Sequence, residues 1–292
     1  MFVLAHLSDL HMASPPHLSD LLGKRGLGFI NWQRKRKYIH RPDVLEAITR
    51  DLKANPAADH IAVTGDLVNL SLTDEYRRAR VWLAALGPAR DVTAVPGNHD
   101  VYVPAAAPAP AAHWGDYMRG DDGADGFPFV RRRGNVALIA LSTAVPSGPF
   151  MATGRLGRQQ LTGLAQTLQQ MRGYFRIVLI HHPPRTPFKR YLRRLTDAVE
   201  LRGVLAAHGA ELLVHGHDHR RSVIWLDGPG GTKIPAAGVP SASAAAPHGG
   251  EDGAGYTIFR IDGAAPGWRC EMIARQRTAD GTVTETERRA LQ

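Results

Sequence analysis

Cysteine is nearly absent: the 292 residues contain one, Cys270. This excludes a disulfide framework and any metal site built from clustered thiolates. Cys270 lies in Trp268-Arg269-Cys270-Glu271-Met272-Ile273, a late strand by pattern, where packing accounts for it. Long apolar runs are absent too, which excludes a membrane-spanning helix. The N-terminus opens directly on strand-like residues. It lacks a basic stretch, a long apolar segment and a small-residue cleavage site, so a soluble cytoplasmic protein is expected. No repeat of fixed period and no accessory nucleic-acid motif occurs, and a specific nucleic-acid partner is therefore not expected.

Histidine and positive charge are plentiful. There are 14 histidines, and Lys plus Arg outnumber Asp plus Glu by 36 to 27, a formal charge of +9. A basic balance permits anionic partners: phosphoesters, nucleic acid or acidic lipid headgroups. With 43% hydrophobic residues the chain has ample material for a core, and it reads as a single domain over residues 1–292.

Five short apolar runs end at once in nitrogen or oxygen donors. Phe2-Val3-Leu4-Ala5 leads into Asp9-Leu10-His11, and His60-Ile61-Ala62-Val63-Thr64 into Gly65-Asp66. Val92-Thr93-Ala94-Val95-Pro96 leads into Gly97-Asn98-His99-Asp100. Ile177-Val178-Leu179-Ile180 leads into His181-His182-Pro183-Pro184, and Leu212-Leu213-Val214 into His215-Gly216-His217-Asp218-His219. Such runs read as buried strands. Open α/β sheets collect ligands at the carboxyl ends of their strands, so these donors are expected to share one crevice. Asp9 and His11 stand at i and i+2, as do His217 and His219; on an extended segment each pair points to one side. His6 and His215 read as buried strand histidines, and Asp218 as an acid turned away from its neighbours.

Residues 12–41 form an excursion after the first strand. Phe29, Trp32 and Tyr38 interleave there with Lys24, Arg25, Arg34, Lys35, Arg36, Lys37 and Arg41. It reads either as a solvated basic helix held down by Phe29 and Trp32, or as a surface for acidic headgroups or a phosphate-bearing substrate. Pro42-Asp43 opens a helix with Val44, Leu45, Ile48 and Leu52 on its apolar face. Tyr76, Ala79, Leu83 and Leu86 mark another, ended by Gly87. This β-α-β-α-β alternation predicts a layered α/β fold. Residues 104–126, rich in Pro, Ala, Gly and Asp, read as a loop over the site. Leu161, Leu164, Leu168 and Met171 give one further helical stripe, and Val199, Val204 and Leu205 another. Strand patterns from about 222 to 289 are expected to complete a second sheet, with residues 237–255 as a loop.

Sorted by chemistry, the strand-end donors are two carboxylates (Asp9, Asp66), one amide oxygen (Asn98) and four imidazoles (His11, His181, His217, His219). Such a set suits Mn, Fe, Zn, Co or Ni and is too nitrogen-rich for Ca or Mg alone. Seven donors are too many for one tetrahedral ion and suit two, if a carboxylate is shared; Asp66 is central. Paired ions about 3.5–4 Å apart activate a bridging hydroxide; on a phosphoester, the substrate class that the resemblance described next implies, they also hold a phosphoryl oxygen and the hydroxide attacks phosphorus. The leaving alkoxide then needs a proton or a positive neighbour. His99 is the expected acid, with Asp100 orienting its ring, and a positioning role is its alternative. His182 reads either as a substrate contact or as a ring packed under its loop. Arg185, which opens a second basic stretch to Arg194, is a candidate substrate contact.

In this order, Asp9-x-His11, Gly65-Asp66, Gly97-Asn98-His99-Asp100, His181-x-Pro183 and Gly216-His217-x-His219 resemble the calcineurin-like metallophosphoesterase superfamily, over roughly residues 1–220. The chain is especially similar to the bacterial branch with class III cyclic-nucleotide phosphodiesterases and glycerophosphodiesterases. The resemblance implies a four-layer αββα sandwich of two mixed β-sheets flanked by helices. It implies a dinuclear centre in which one ion takes Asp9, His11, Asp66 and His219, and the other Asp66, Asn98, His181 and His217. It implies hydrolysis of a small phosphodiester, a cyclic nucleotide or a glycerophosphodiester. The basic excursion allows a second substrate class, a phospholipid or a lipid- or nucleotide-linked pyrophosphate at the inner-membrane surface. A non-catalytic metal-binding scaffold is the third reading. The C-terminal strands either cap the site or pair with a second copy as a homodimer.

Overall fold

The computed structural model describes residues 1–55 and 58–292. Its strands are β1 (Phe2–Leu7), β2 (His60–Val63), β3 (Val92–Ala94), β4 (Phe129–Arg133), β5 (Val136–Ala140), β6 (Phe175–Leu179), β7 (Leu212–His215), β8 (Ser222–Asp227), β9 (Lys233–Gly238), β10 (Gly255–Asp262), β11 (Arg269–Arg277) and β12 (Val283–Ala290). Its helices are α1 (Lys24–Asn31), α2 (Lys37–Ile39), α3 (Pro42–Ala54), α4 (Thr73–Leu86), α5 (Ala109–Trp114), α6 (Gly157–Gln170) and α7 (Ala198–His208). A π-helical turn, Trp32–Arg36, joins α1 to α2.

The strands form two six-stranded sheets, in the orders β12-β11-β10-β1-β2-β3 and β4-β5-β6-β7-β9-β8. The first has a parallel half, β1-β2-β3, continued by antiparallel β10, β11 and β12, and the second a parallel centre, β5-β6-β7-β9, flanked by antiparallel β4 and β8. The period of two along a strand sorts the faces of the second sheet. Leu138, Ile177, Leu179 and Val214 enter the core shared with the first sheet, α3 and α4. Ile139, Val178, Ile180 and Leu213 face Leu164 and Leu168 of α6 and Leu201 and Leu205 of α7. Val199, by contrast, turns to solvent. The layers are helix, sheet, sheet, helix: the αββα sandwich of two mixed sheets expected from the sequence.

The C-terminal strands divide between the sheets, which corrects the expectation that residues 222–289 complete the second. β8 and β9 do so, but β10 to β12 return to the first. β10 pairs antiparallel with β1, from Phe2↔Ile261 to His6↔Thr257. β2 occupies only one edge of β1. The pattern at 256–261 marks a strand but carries nothing about which open edge it satisfies. Residues 104–126 are corrected as well. They hold α5 and two 3₁₀ turns, Pro104–Ala106 and Gly115–Met118, with Trp114, Tyr117 and Met118 buried. Trp114 packs 5.4 Å from Tyr76 of α4, and the Tyr117 hydroxyl donates to Gly87 O at 3.1 Å. They brace α4 and are not a loop over the crevice.

The excursion is tied down by its own basic residues. Arg25 donates to the carbonyls of Leu70 (3.1 Å) and Ser71 (2.6 Å), and Lys24 to Ser147 O (2.9 Å). Gly28 lets α1 press on the body, since a Cβ there would stand 2.6 Å from Leu70 and 2.7 Å from the Tyr102 hydroxyl. The turn beneath is organised by Glu75, whose carboxylate accepts the N–H groups of Asn69, Leu70 and Leu72 at 3.2, 2.8 and 3.1 Å. Glu75→Ala leaves these donors without that partner in a buried place and is expected to cost about 2–4 kcal/mol. Glu75→Gln, which keeps an acceptor oxygen, is expected to cost less. Urea denaturation of the three proteins checks the ranking, and equal midpoints for Ala and wild type would count against it.

Candidate metal centre

Asp9 and His11 follow β1, Asp66 follows β2, Asn98 follows β3, His181 follows β6, and His217 and His219 follow β7; all seven are buried. The donor atoms of six of them, all but Asn98, meet in two groups. His219 Nε2 lies 3.1 Å from Asp9 Oδ1 and 3.1 Å from His11 Nε2, which is itself 3.9 Å from Asp66 Oδ2. His181 Nε2 lies 3.4 Å from the same Asp66 Oδ2 and 3.2 Å from His217 Nδ1. Asp66 thus faces both groups. Asn98 Oδ1 is buried and has no hydrogen-bond partner among the described residues. An orphaned acceptor of this kind costs about 1–3 kcal/mol unless a positive group meets it.

The ring nitrogens on the far side fix what the near side offers. His181 Nδ1–H donates to Thr64 O at 2.6 Å, so Nε2 faces Asp66. His217 Nε2–H donates to Arg193 O at 2.9 Å, so Nδ1 faces His181. His219 Nδ1–H donates to a Glu251 oxygen at 2.8 Å, so Nε2 faces Asp9 and His11. Carbonyls and a carboxylate behind the imidazoles are the usual means of setting ligand tautomers. In the metal-free protein, lone pairs and carboxylate oxygens at these distances tolerate one another only with a proton between them. Burial disfavours charge on His181, but Asp66 and Asp9 outweigh it and hold its pKa up at about 9. For His219, Asp9 and Glu251 likewise outweigh burial and hold it up at about 9. Each group is therefore closed by one extra proton, at a place where a cation fits the donor chemistry equally well.

A pH dependence follows, with its sign. Both folded-state pKa values exceed the ordinary 6.5. Their stabilisation of the metal-free fold is full below pH 6.5 and fades as pH rises through about 9. Metal uptake displaces these protons. The melting temperature of metal-stripped protein is expected to fall across this window and that of metal-loaded protein to hold. A flat or rising profile for the stripped protein would contradict the assignment.

The backbone at these positions is not extended. Asp9, His11, Asp66, His217 and His219 have φ of 58, 48, 52, 68 and 51°. The i, i+2 argument from an extended segment is therefore corrected: the chain leaves β1 and β7 through left-handed residues at both members of each pair. Non-glycine residues there cost about 1–3 kcal/mol each and persist where the surroundings enforce them, typically at functional sites. The neighbouring glycines work by closeness. A Cβ on Gly97 would collide with the Asp66 carboxylate and backbone nitrogen, and one on Gly216 with Ser8 and Asp9.

Asp100 does not orient His99. Its carboxylate accepts the N–H groups of Val68 (3.0 Å) and Gly97 (2.8 Å), which ties the turn after β2 to the turn after β3. The His99 ring is set by Asn69 O, 2.5 Å from Nδ1. Nε2 is then an acceptor, and Arg36 Nη1 donates to it at 2.9 Å. Burial, aided by the Arg36 charge, pushes the His99 pKa down to about 3. The expected acid thus carries no proton on the nitrogen that faces the crevice. His182 has both ring nitrogens engaged, by Thr143 Oγ1 at 2.7 Å and Ala152 O at 3.1 Å, and packs 4.2 Å from the His217 ring. The packed reading holds for it, and the substrate contact is corrected. Arg185 is exposed and forms no hydrogen bond or ion pair among the described residues. From the same basic stretch it is Arg193 that reaches the donor groups, donating to His217 O at 2.7 Å, while Arg190 pairs with Asp218 at 2.8 Å. His6 and His215 are buried in β1 and β7 as expected, His6 bonded to Thr64 at 2.8 Å.

Sequence reasoning missed four residues here: Arg36 as a group facing inward, Asn69, His40 and Glu251. His40 brings a nitrogen within 4.8 Å of those of His11 and His219, with Nδ1 bonded to Ser243 Oγ at 2.9 Å. Glu251 lies in a stretch of small residues that reads as a loop, and its one signal is being the first acid in that run. A cleft of about 470 Å³ adjoins His11 and His40 between α3 and α4, walled by Trp32, Trp82, Met12 and Leu45.

Residues 2–221 match the family model described as calcineurin-like phosphoesterase. Among solved structures, the chain is similar to purple acid phosphatase PPD1 from yellow lupin (Lupinus luteus) seeds, at 13% identity and TM-score 0.60, over 97% of this chain and 52% of that one. It is also similar to a 5′-nucleotidase precursor from Thermus thermophilus, at 14% identity and TM-score 0.50, over 99% and 54%. The chain spans about half the length of these two structures, and at such identities the likeness is one of fold. No curated protein matches it in sequence.

Proposed function

The chain belongs to the calcineurin-like phosphoesterase family, and from this premise we propose that it is a dinuclear-metal-dependent phosphohydrolase acting on a phosphodiester of the cyclic-nucleotide or glycerophosphodiester type. One observation supports this above all: two donor groups share Asp66 Oδ2, each closed by an imidazole at 3.1–3.4 Å from a carboxylate oxygen. One ion would be held by Asp9, His11, Asp66 and His219, the other by Asp66, Asn98, His181 and His217. Bound there, Mn, Fe, Zn, Co or Ni would supply positive charge at the phosphoryl oxygens and lower the pKa of water to about 7. The chain's own part is to hold the donors fixed, with the nitrogen that faces each group ready to give up its proton as an ion enters. Thr64 O, Arg193 O and Glu251 set the imidazoles, and Asp100 sets the turn that presents Asn98. Hydrolysis of bis(p-nitrophenyl) phosphate by the protein loaded with each metal tests the reaction class. A panel of cyclic nucleotides, glycerophosphodiesters and lipid-linked pyrophosphates then tests the substrate. Absence of turnover with every metal would overturn the reading in favour of a scaffold.

A second reading, an amphiphilic phosphoester at a membrane surface, is favoured by exposed apolar side chains on neighbouring segments. Leu18, Leu22, Phe150 and Phe188 are 80–91% exposed. Their segments are linked, Lys24 donating to Ser147 O at 2.9 Å and Ala152 N to Leu192 O at 2.9 Å. Of the basic residues in the excursion, Arg34 and Lys35 are exposed, whereas Lys24, Arg25, Arg36 and Arg41 bond to protein groups. Among the described residues no helix is long and apolar enough to cross a membrane. Flotation with liposomes rich in acidic lipid should depend on Leu18, Leu22, Arg34 and Lys35. Unchanged flotation after their replacement would remove this reading.

A further inference from the structure

Arg36 ends the π-helical turn, where three consecutive basic residues diverge: Arg34 and Lys35 stay exposed while Arg36 turns inward. Its Nη1 donates to His99 Nε2 at 2.9 Å and to Asn69 Oδ1 at 3.1 Å, and Nη2 lies 3.5 Å from His11 Nε2. Among the described residues no carboxylate forms an ion pair with it; Asp66 and Glu251 act on it from farther away. A guanidinium drawn into a protein ordinarily has a carboxylate beside it, because leaving one charge without its partner is strongly destabilising. Neutral groups alone hold this one, at the rim of a crevice whose donors suit a phosphoester. Its planar fork matches the spacing of two oxygens on one phosphorus. π-Helical turns recur at functional sites, and this one gives Arg36 a direction different from its two basic neighbours.

The geometry points to Arg36 as the group that binds a non-bridging phosphoryl oxygen of the substrate, with His99 and Asn69 as the positioning residues that hold its guanidinium. The inference rests on the phosphoester reading above and deepens it. It also gives His99 work that its tautomer allows. With Nδ1–H held by Asn69 O at 2.5 Å, the ring accepts from Arg36 and fixes the fork instead of carrying a proton to the leaving group. The positive neighbour that the departing alkoxide requires is then the arginine.

The test uses the full chain loaded with Mn, as wild type, Arg36→Met and Arg36→Lys. Calorimetric titration with inorganic phosphate reads the anion site directly. Arg36→Met is expected to weaken phosphate binding about 10- to 100-fold, the loss of one or two charge-assisted hydrogen bonds. Arg36→Lys, a point charge without the fork, should fall between. Without phosphate, Arg36→Met should melt at or above the wild-type temperature, because an apolar side chain of similar length replaces an unpaired charge. A structural arginine predicts the opposite pair of results, lower melting and unchanged phosphate affinity, and that outcome overturns the inference. Should the Met variant fail to fold, Arg36→Lys decides alone: wild-type phosphate affinity in it would also overturn the inference. Hydrolysis of bis(p-nitrophenyl) phosphate in the same samples separates the two levels. Phosphate affinity that depends on Arg36 in a protein without turnover leaves the anion site standing and removes the hydrolase. Turnover and phosphate affinity that both ignore Arg36 keep the hydrolase and remove the role of Arg36.

Discussion

Asp66→Asn is expected to lower metal-stimulated phosphodiester turnover about 100- to 1,000-fold, the scale on which loss of a principal electrostatic contact acts, and to reduce bound metal from two ions toward one. The substitution is chosen to spare the fold. Asp66 has φ 52°, and asparagine tolerates the left-handed region well. Its amide oxygen can still accept the His99 N–H that Asp66 Oδ1 accepts at 2.7 Å. What disappears is the charge on Oδ2, which faces His11 at 3.9 Å and His181 at 3.4 Å. An amide placed there with its nitrogen inward would oppose any cation. Metal content by plasma mass spectrometry and turnover with bis(p-nitrophenyl) phosphate are the two measurements. If the Asn variant keeps two ions per chain and wild-type turnover, Asp66 is not the shared ligand and the dinuclear reading fails.

The second large effect is expected from a single methyl group. Gly97→Ala should reduce turnover about 100-fold while lowering the melting temperature by only a few degrees. The backbone of Gly97 does not lie in the left-handed region, so alanine meets no conformational bar there. The obstacle is what stands opposite: the Asp66 carboxylate, and the Asp66 backbone nitrogen at 2.5 Å. Overpacking of this kind costs about 1–3 kcal/mol, which a domain of this size survives. Displacement of the carboxylate by about 1 Å is enough for a roughly 100-fold loss of rate. Wild-type turnover in Gly97→Ala would mean that the Asp66 carboxylate can shift without consequence, and the weight placed on its position would be misplaced.

Gly97 marks where a one-dimensional pattern stops being informative. Gly65-Asp66 and Gly97-Asn98-His99-Asp100 are legible as sharp turns at strand ends, and Asp66 and His99 from them do converge on His11. A glycine beside such a turn suggests conformational freedom, whereas the structure assigns Gly97 close approach to Asp66. That distinction needs the opposing chain. The Asp9–His11 and His217–His219 pairs are similar: the spacing marks them as acting together, but the left-handed backbone that brings them together leaves no periodic trace. Adjacency suggests that Asp100 serves His99. It serves instead the backbone of Gly97 and Val68, and the carbonyl of Asn69 sets the ring.

The sequence by itself determined the identity and order of the donors, the strands that deliver them, the faces of α3 and α4 and the alternation that builds the layers. These are local properties, because a side chain's burial repeats with the period of its own element. Tertiary structure alone decided that β10 to β12 join the sheet of β1, that Arg36 leaves the basic surface for His99, 63 residues away, and that Glu251 stands behind His219, 32 residues away. An open strand edge accepts any strand of suitable length, and a long arginine reaches equally well in several directions. Which edge and which direction prevail depends on the groups packed opposite, and only the folded chain brings those groups near.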